Sequence, residues 1–564
     1  MGIGGQGISA VAQMVLEAEH ENVIVTGCDM QASATTRALE RIGVPVEIGH
    51  SADHLVDIDR LIVVPAALVL NPDHPELATA RARGIPMITW QEMLGELMHK
   101  KCVLSVSGVH GKGTTTALLS LILVDAGLDP TCEVGAVVPR FGFNYRLGKS
   151  QYFVNEADEF YNNFWHYHPR VAVITSIEFE HPEFFADYAE FLASFEHFVR
   201  GMDIEGDWPV PPTLIVNADS PGCFELLARL HDWPGCIVTY RVIQKERGII
   251  STDSKQALLE ETALAASNLG KAVTNAESIS SNAACSLTFE AYDVQLEGET
   301  SFRVRVRGSS EQERQTLSED ISILEIQTDN AALLGLSSSS PTPLSRLPDG
   351  QASCKESATS RSVGLKGSIR LQLPGTHNVQ NALAAFAAAS VLGIDTHTII
   401  QTLEGFTGIR RRFEIRNTEP IQVNGQLLDV ILVDDYAHHP TAIAATLEAA
   451  HRRYPTRRLV AVYQPHMYSR TKTFFEQFLY AFDLADVAII ADIFPARERD
   501  TGLISSRELV EAMAQQPHFQ QHSQAIYGGN VQSTAQQLCT ILRNGDLVLI
   551  MGAGDIYTLT DILV

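Results

Sequence analysis

The sequence predicts an α/β protein in which strands and helices alternate through three successive regions, and three observations carry that expectation. A loop rich in glycine with one lysine, Gly108-Val109-His110-Gly111-Lys112-Gly113-Thr114-Thr115-Thr116, directly follows the apolar run at 103–107. A second glycine loop, Gly2-Ile3-Gly4-Gly5-Gln6-Gly7, opens the first region. Short apolar runs of strand length recur between helix-like stretches at 1–100, 101–240 and beyond 412, the pattern of mostly parallel sheets. At 564 residues the chain is long enough for about three or four domains, each with its own core.

The bulk composition narrows the function classes. Apolar residues make up 45%, an ordinary globular content. A net charge of −25 argues against nonspecific nucleic-acid binding and requires any anion site to gather lysine and arginine locally. The 8 cysteines include no Cys-x-x-Cys pair, which disfavours a zinc ribbon or disulfide scaffold and suits a reducing cytoplasm. No apolar run has the length of a membrane span, and no signal-peptide pattern opens the sequence.

The first region begins at the Gly-x-Gly-x-x-Gly loop, with no strand ahead of it, followed by a helix-like stretch at 8–19 and a strand at 23–25. Asp29 lies about twenty residues beyond the glycines, where a doubly wound unit holds an acid near a ribose. A strand at 61–65 and the turn Gly84-Ile85-Pro86 continue the alternation. In the second region a strand at 103–107 feeds the lysine loop and a helix from Thr114. Strands follow at 152–154, 171–175 and 214–216, with a helix at 187–200. Residues 241–370 differ: serine-rich segments at 265–286 and 336–362 flank an alternating β-hairpin at 286–307 that turns at Glu297-Gly298. We read 241–370 as an insertion decorating the second region. The alanine-rich helix at 381–392 is a core helix. After Arg410-Arg411-Arg412 a third region has strands at 430–433, 459–463, 487–491 and 547–551.

The lysine loop is the most specific chemical signal. Glycines let backbone N–H groups approach phosphate oxygens, Lys112 supplies a point charge, and a threonine hydroxyl can reach Mg²⁺. Nucleoside triphosphate chemistry is the leading reading. The run Glu156-Ala157-Asp158-Glu159 follows a strand, where α/β folds keep metal-binding carboxylates, although a solvated acidic turn has the same composition. His181 ends Ile177-Glu178-Phe179-Glu180-His181 after the next strand; a lone histidine is more often structural, and only its strand-end position favours function. Asn378 and Asn381 share a helical face and suit base reading or helix capping equally. Asp434-Asp435-Tyr436-Ala437-His438-His439 and Gln464-Pro465-His466-Met467-Tyr468-Ser469-Arg470 each end a strand, and Arg470 is a candidate anion clamp.

These blocks, in this order, resemble the Mur ligase family of peptidoglycan synthesis. The carrying motifs are GIGGQGIS, TGCD, IGH, GVHGKGTTT, NEADE, SIEFEH, PGTHNVQNA, RRRF, DDYAHHPT and QPHMYSRT. The resemblance implies three domains: a Rossmann-like UDP-sugar domain at 1–100, a central P-loop ATPase domain at 101–407 carrying the insertion, and a Rossmann-like amino-acid domain at 408–564. It implies a cytoplasmic enzyme, monomer or homodimer, that uses ATP and Mg²⁺ to join L-alanine to the lactyl carboxylate of UDP-N-acetylmuramate through an acyl phosphate. Ligation of a recycled peptide to the same sugar nucleotide, or a non-catalytic nucleotide-binding relative, are the alternatives. By the resemblance, Gly108, His110, Gly111, Lys112, Gly113, Thr114 and Thr115 cradle ATP. Thr114, Glu156 and His181 hold Mg²⁺; His377, Asn378 and Asn381 approach adenine; Arg411, Arg412 and Asp435 reach the nucleotide from the third domain. Tyr436, His438 and Arg470 surround the amino acid, and Gly4, Gly5, Gly7, Asp29 and His50 line the UDP-sugar site. Lys112, Glu156, His181, His438 and Arg470 are the implied catalytic set. Two departures stand out: Gly113 occupies the position of a usual threonine, and Met467 that of a usual basic residue.

Overall fold

The computed structural model describes residues 1–18, 23–243, 286–308, 363–364, 368–417, 419–496, 498–521 and 523–563. The serine-rich segments at 265–285 and 336–362 lie outside the described residues.

In the first region, helix α1 (Gln6–Ala18) follows the glycine loop. Strand β1 (Gly27–Asp29) pairs in parallel with β2 (Val46–Ile48), and β3 (Leu61–Val63) with β4 (Met87–Thr89). The strand expected at 23–25 is displaced toward the C-terminus. Ile24 is exposed, and the ladder starts where Gly27 N–H donates to the Pro45 carbonyl at 2.9 Å. The two pairs are not one continuous sheet. Residues 1–3 run between them: Gly2 and Ile3 donate to the Cys28 carbonyl at 2.8 and 3.1 Å, and the Met1 nitrogen to the Ile62 carbonyl at 2.9 Å.

The central sheet has eleven strands among the described residues. In chain order they are β5 (Cys102–Ser107), β6 (Thr131–Val138), β7 (Phe143–Arg146), β8 (Tyr152–Glu156), β9 (Val171–Ile174), β10 (Thr213–Asn217), β11 (Cys236–Val242), β12 (Ser286–Gln295), β13 (Thr300–Gly308), β14 (Val363–Gly364) and β15 (Ile369–Leu371). Their spatial order is β14-β13-β12-β11-β10-β9-β5-β8-β6-β7, with β15 on β13. Every residue of β5 is buried, as expected of a parallel strand covered on both faces. Helices α2 (Lys112–Asp125) and α3 (Thr376–Val391) pack together over it; the small side chains Ala382, Ala384, Ala385 and Ala387 let α3 approach closely. The hairpin β12–β13 turns at Glu297-Gly298 as the alternation foretold, but it is no decoration. It extends the sheet from β11 and buries Leu287, Phe289, Ala291, Phe302 and Val304 in the same core as α3.

The third sheet has the order β16-β19-β23-β20-β21-β22. Its strands are β16 (Glu414–Ile415), β19 (Ile431–Asp435), β20 (Leu459–Tyr463), β21 (Val487–Ala491), β22 (Gln524–Gly529) and β23 (Leu547–Met551), with β17 (Ile421–Val423) and β18 (Gln426–Leu428) forming a separate hairpin. Parallel register aligns Asp435 and Tyr463 with Met551, so the loops at 436–439, 464–467 and 552–555 leave one edge together. In the central sheet, the alignment of Val106 with Glu156 and of Ser107 with Ile174 gathers the loops after β5, β8 and β9 in the same way. Such carboxyl-end crevices are where open α/β sheets bind ligands.

Candidate active site

The two gathered edges face each other across a cavity of about 820 Å³. Its walls include Lys112, Asp158, Glu159 and His181 from the central sheet, and Arg412, Tyr436, His438 and Arg470 from the third.

The lysine loop is built by close approach. Gly111 has φ +82°, and a Cβ there would lie 2.2 Å from Asn381 Oδ1; Gly108 has φ +119°, with Thr175 Oγ1 2.4 Å from where its Cβ would be. Both positions therefore require glycine. At Gly113 a Cβ would come within 3.0 Å of Glu156 Oε2 and 3.3 Å of Ile409 Cδ1, so a larger residue there has to displace the Glu156 carboxylate. Thr115 is fully buried and its hydroxyl donates to Asn381 Oδ1 at 3.4 Å.

Lys112 Nζ donates to Glu159 Oε2 at 2.7 Å and lies 3.7 Å from Asp158 Oδ1. Burial pushes the lysine's pKa down, but the Glu159, Asp158 and Glu156 carboxylates more than offset it, and the ammonium is held above the ordinary lysine value. Burial raises the pKa values of Glu156 and Glu159 despite the opposing lysine. Glu156 also accepts the Gly135 N–H at 2.8 Å. His181, with φ +57°, lies with Nδ1 3.2 Å from Glu183 and Nε2 3.9 Å from Glu159 Oε1. Its burial opposes protonation, but Glu183, Glu180 and Glu159 outweigh it and raise its pKa. Asp158, Glu159 and His181 offer ligand atoms that all lie within 4.8 Å of one another, and the buried Glu159 Oε1 accepts no hydrogen bond. Hard carboxylate oxygens beside a buried orphan acceptor fit Mg²⁺. The sequence reading took the run Glu156–Glu159 as candidate metal carboxylates and chose Thr114, Glu156 and His181 from the motifs; Asp158 and Glu159 are the carboxylates that stand beside His181.

Several expected ligand contacts are already engaged within the protein. Arg470 donates through Nε and Nη2 to Glu180 Oε1 at 3.0 and 2.7 Å, and its Nη1 lies 3.2 Å from His466 Nδ1. Burial opposes ionisation of Glu180, but the guanidinium holds its carboxyl well below the usual range. Arg470, the expected anion clamp, thus also cross-links the two sheets. Asn378 donates to the Pro374 carbonyl at 2.7 Å and accepts from Asn381, whose own Oδ1 accepts from Thr115, so Asn381 joins the lysine loop to α3 and Asn378 braces it. Neither Thr376 nor Asn378 caps that helix; its N-cap is Gly375. Asp435 accepts from the backbone N–H groups of Phe413 and Ala437 at 2.7 and 2.8 Å. Arg411 donates to the Gly552 carbonyl at 2.6 Å and lies over Tyr436 and Tyr557, while Arg412 lies over the Tyr436 ring.

His110 pairs with Glu178, and His439 lies 3.8 Å from the same carboxylate. His377 lines the cavity, and burial lowers its pKa, leaving it neutral. His438 is held neutral more strongly, by burial and then by Arg470. Its Nδ1 lies 3.0 Å from the Tyr436 carbonyl, which fixes the Nδ1–H tautomer and leaves Nε2 an acceptor.

The residues expected at a UDP-sugar site lie outside this cavity. Gly4 N–H donates to Asp29 Oδ2 at 2.8 Å, so the acid caps the glycine loop. Gly5 N–H donates to the Gly2 carbonyl, and Gly7 packs against the Trp90 ring. His50 Nδ1 lies 3.3 Å from Cys28 Sγ.

Comparison with known proteins decides the family. The chain matches the Mur ligase family, catalytic domain, over residues 1–101, the Mur ligase middle domain over 106–267, and the Mur ligase, glutamate ligase domain over 411–554. It is 32% identical over 560 residues to the UDP-N-acetylmuramate–L-alanine ligase of Caldanaerobacter subterraneus subsp. tengcongensis, covering 99% of this chain and 95% of that one. The chain belongs to the Mur ligase family. The enzyme of the same name from Roseiflexus castenholzii is 32% identical to this Mur ligase, with 99% and 94% covered. Among solved structures, the UDP-N-acetylmuramate-alanine ligase of Thermotoga maritima aligns with a TM-score of 0.65 at 21% identity, covering 100% of this chain and 96% of that one. A murein peptide ligase from Psychrobacter arcticus aligns at 0.59 and 23% identity, covering 100% and 98%. These two likenesses establish the three-part α/β Mur ligase fold.

Proposed function

We propose that this Mur ligase joins L-alanine to UDP-N-acetylmuramate at the expense of ATP. The supporting observation is the cavity in which the Lys112 loop faces Asp158, Glu159 and His181 across from the loops of the third sheet, in a chain alike over its whole length to curated L-alanine ligases. A lactyl carboxylate oxygen bonds to the γ-phosphorus as the bond to ADP breaks. The alanine nitrogen then adds to the acyl carbon, phosphate leaves with the electron pair, and the amine gives up a proton. This chemistry rests on positioning and charge stabilisation, with no covalent nucleophile from the protein.

Lys112 holds the β- and γ-phosphates after releasing Glu159. Asp158, Glu159 and His181, with Glu156 and Thr114 on the same wall, would hold Mg²⁺, which neutralises phosphate charge when bound. His377 stands where a neutral ring can meet the base, and Arg412 where a guanidinium can meet phosphate. Tyr436, His438 and Met467 form the wall for the incoming amine. His438 Nε2, kept unprotonated, accepts a hydrogen bond from that amine. Phosphate release is to be measured with ATP, Mg²⁺ and UDP-N-acetylmuramate, comparing L-alanine, glycine, L-serine and the tripeptide L-Ala-γ-D-Glu-diaminopimelate. Turnover strongest with L-alanine is the expected result. Turnover with the tripeptide alone would move the chain to peptide recycling, and none with any amine would overturn ligation.

A further inference from the structure

The first region contains a second cluster of metal-ligating side chains, remote in sequence from the lysine loop, of which only His50 is among the residues that the resemblance places at the UDP-sugar site. Cys28 on β1, His50 and His54 after β2, and Glu76 at the start of the helix Pro75–Arg83 converge below the glycine loop. Cys28 Sγ lies 3.3 and 3.5 Å from the two Glu76 carboxylate oxygens. His50 Nδ1 is 3.3 Å from both Cys28 Sγ and Glu76 Oε2, and His54 Nδ1 is 2.9 Å from Glu76 Oε1. Cys28 is 5% exposed and Glu76 is 0% exposed. Cys28, His54 and Glu76 alone offer ligand atoms within 4.8 Å of one another.

The donor atoms of Cys28, His54 and Glu76 stand close enough together to share one ion, and His50 lies against two of them. A tetrahedral Zn²⁺ with bonds of about 2.3 Å to sulfur and about 2.0–2.1 Å to nitrogen and oxygen spaces its donors by roughly 3.3–3.6 Å. One thiolate and one carboxylate supply two negative charges to a dication beside the Met1 ammonium that already faces them, and two neutral imidazoles complete the set. A mixed sulfur, nitrogen and oxygen shell selects Zn²⁺ or Co²⁺ over Mg²⁺, the reverse of the carboxylate group beside Lys112. We propose that Cys28, His50, His54 and Glu76 form a binding site for a borderline-soft divalent cation, Zn²⁺ in chemical class, that staples the first region together.

The surroundings give the staple a purpose. The first region's sheet is two separate strand pairs, and its own apolar clusters are small: Leu55, Leu61, Val63, Leu77 and Ala80 in one, and Ile3, Leu39 and Val44 in the other. The four ligands come from β1, the segment after β2 and the start of the helix Pro75–Arg83, so one ion ties the first strand pair to that helix. Small cores commonly draw stability from a metal in this way. Outer partners are already in place: Ser51 N–H donates to Glu76 Oε1 at 3.1 Å, and the His50 and His74 rings meet edge-on with centroids 4.9 Å apart. Such support orients ligands. Burial pushes the Cys28 thiol up to about 12, so without a cation it stays protonated and unreactive. Spacing rules look for paired cysteines, which is why this set is silent in the sequence.

The test begins with the full-length wild-type chain, stripped by chelation and titrated with Co²⁺. The expected result is one equivalent carrying the visible bands of tetrahedral cobalt and a near-ultraviolet thiolate charge-transfer band, both displaced by Zn²⁺. Differential alkylation with mass mapping should show one equivalent of Zn²⁺ slowing modification of Cys28 at least about tenfold and of no other cysteine. His54→Ala should weaken Zn²⁺ binding at least about tenfold, and Cys28→Ser should abolish the charge-transfer band. Absence of a thiolate band in the wild-type chain, protection of a different cysteine, or a band that survives Cys28→Ser would each overturn the proposal. The wild-type measurements decide it even if a variant fails to fold.

Discussion

Replacing Lys112 by methionine separates two roles that the lysine holds at once. In the structure its ammonium neutralises Glu159, whose side chain is 1% exposed, at 2.7 Å. Removing one member of a buried pair costs about 3–5 kcal/mol, because the other is stranded. The lower end, about 3 kcal/mol, is expected here, since burial already raises the pKa of Glu159 and the carboxyl can escape by taking up a proton. The second role is contact with the transferring phosphate, whose loss should cost about a thousandfold in turnover, or about 4 kcal/mol. Glu159→Gln added to Lys112→Met removes the stranded charge, so stability should return to within about 1 kcal/mol of wild type while turnover stays lost. Urea unfolding reads the first quantity and phosphate release the second. The reasoning fails if Lys112→Met leaves stability unchanged, or if the double variant recovers turnover.

Three further outcomes follow from the geometry. Gly111→Ala combines a φ of +82° with a Cβ 2.2 Å from Asn381 Oδ1; calorimetric titration should show ATP binding at least about tenfold weaker, about 1.4 kcal/mol. Arg470→Met strands the buried Glu180 and should destabilise the chain by about 3 kcal/mol in urea, with most of the loss recovered by adding Glu180→Gln. Burial pushes the Asp434 carboxyl up to about 6 from an ordinary 3.8, so the folded chain binds the extra proton between those values and its stability falls as pH rises through them. Asp434→Asn removes that loss: thermal unfolding should find it more stable than wild type above pH 6, by about 3 kcal/mol at most, and little changed below pH 4.

What the sequence made legible was local. The run ending at Ser107 and the glycines after it reveal a buried strand and an anion loop, because apolar continuity and backbone freedom are properties of neighbouring residues. The same holds for β19, β20, β21 and β23, found within one or two residues of expectation. The β-branched run at 23–25 misled, since propensity there is overridden by a pairing partner at Pro45–Val46 that no local signal announces. The hairpin at 286–308 was recognisable as a hairpin but not as part of the core, because its partner strand β11 is separated from it by a long segment of serine-rich sequence. Pairs such as Arg470 with Glu180, 290 residues apart, were illegible for the same reason. Arg470 reads in the sequence as a candidate anion clamp; only the fold shows the carboxylate it meets. Asn378 and Asn381 were placed on the right face, yet which amide group meets which partner depends on Gly111 lying directly beneath.

The charge balance of the cavity constrains how a nucleotide enters it. Its wall carries seven carboxylates, Glu156, Asp158, Glu159, Glu178, Glu180, Asp219 and Asp435, against five cationic side chains, Lys112, Arg410, Arg411, Arg412 and Arg470. Lys112 and Arg470 are already paired with Glu159 and Glu180. A bare triphosphate would therefore bring negative charge into a wall that is negative on balance, and could gain Lys112 only by stranding Glu159. Entry with a divalent cation makes the exchange balanced: the lysine passes from carboxylate to phosphate, and the released Glu159, with Asp158 and His181, has a cation to hold. ATP affinity should accordingly fall at least about a hundredfold, or about 2.8 kcal/mol, when Mg²⁺ is replaced by a chelator. Glu159→Gln should shrink that difference, because the glutamine leaves no charge to strand. Equal ATP affinity with and without Mg²⁺ would show that Lys112 meets phosphate without giving up its carboxylate, and the partner exchange would be wrong.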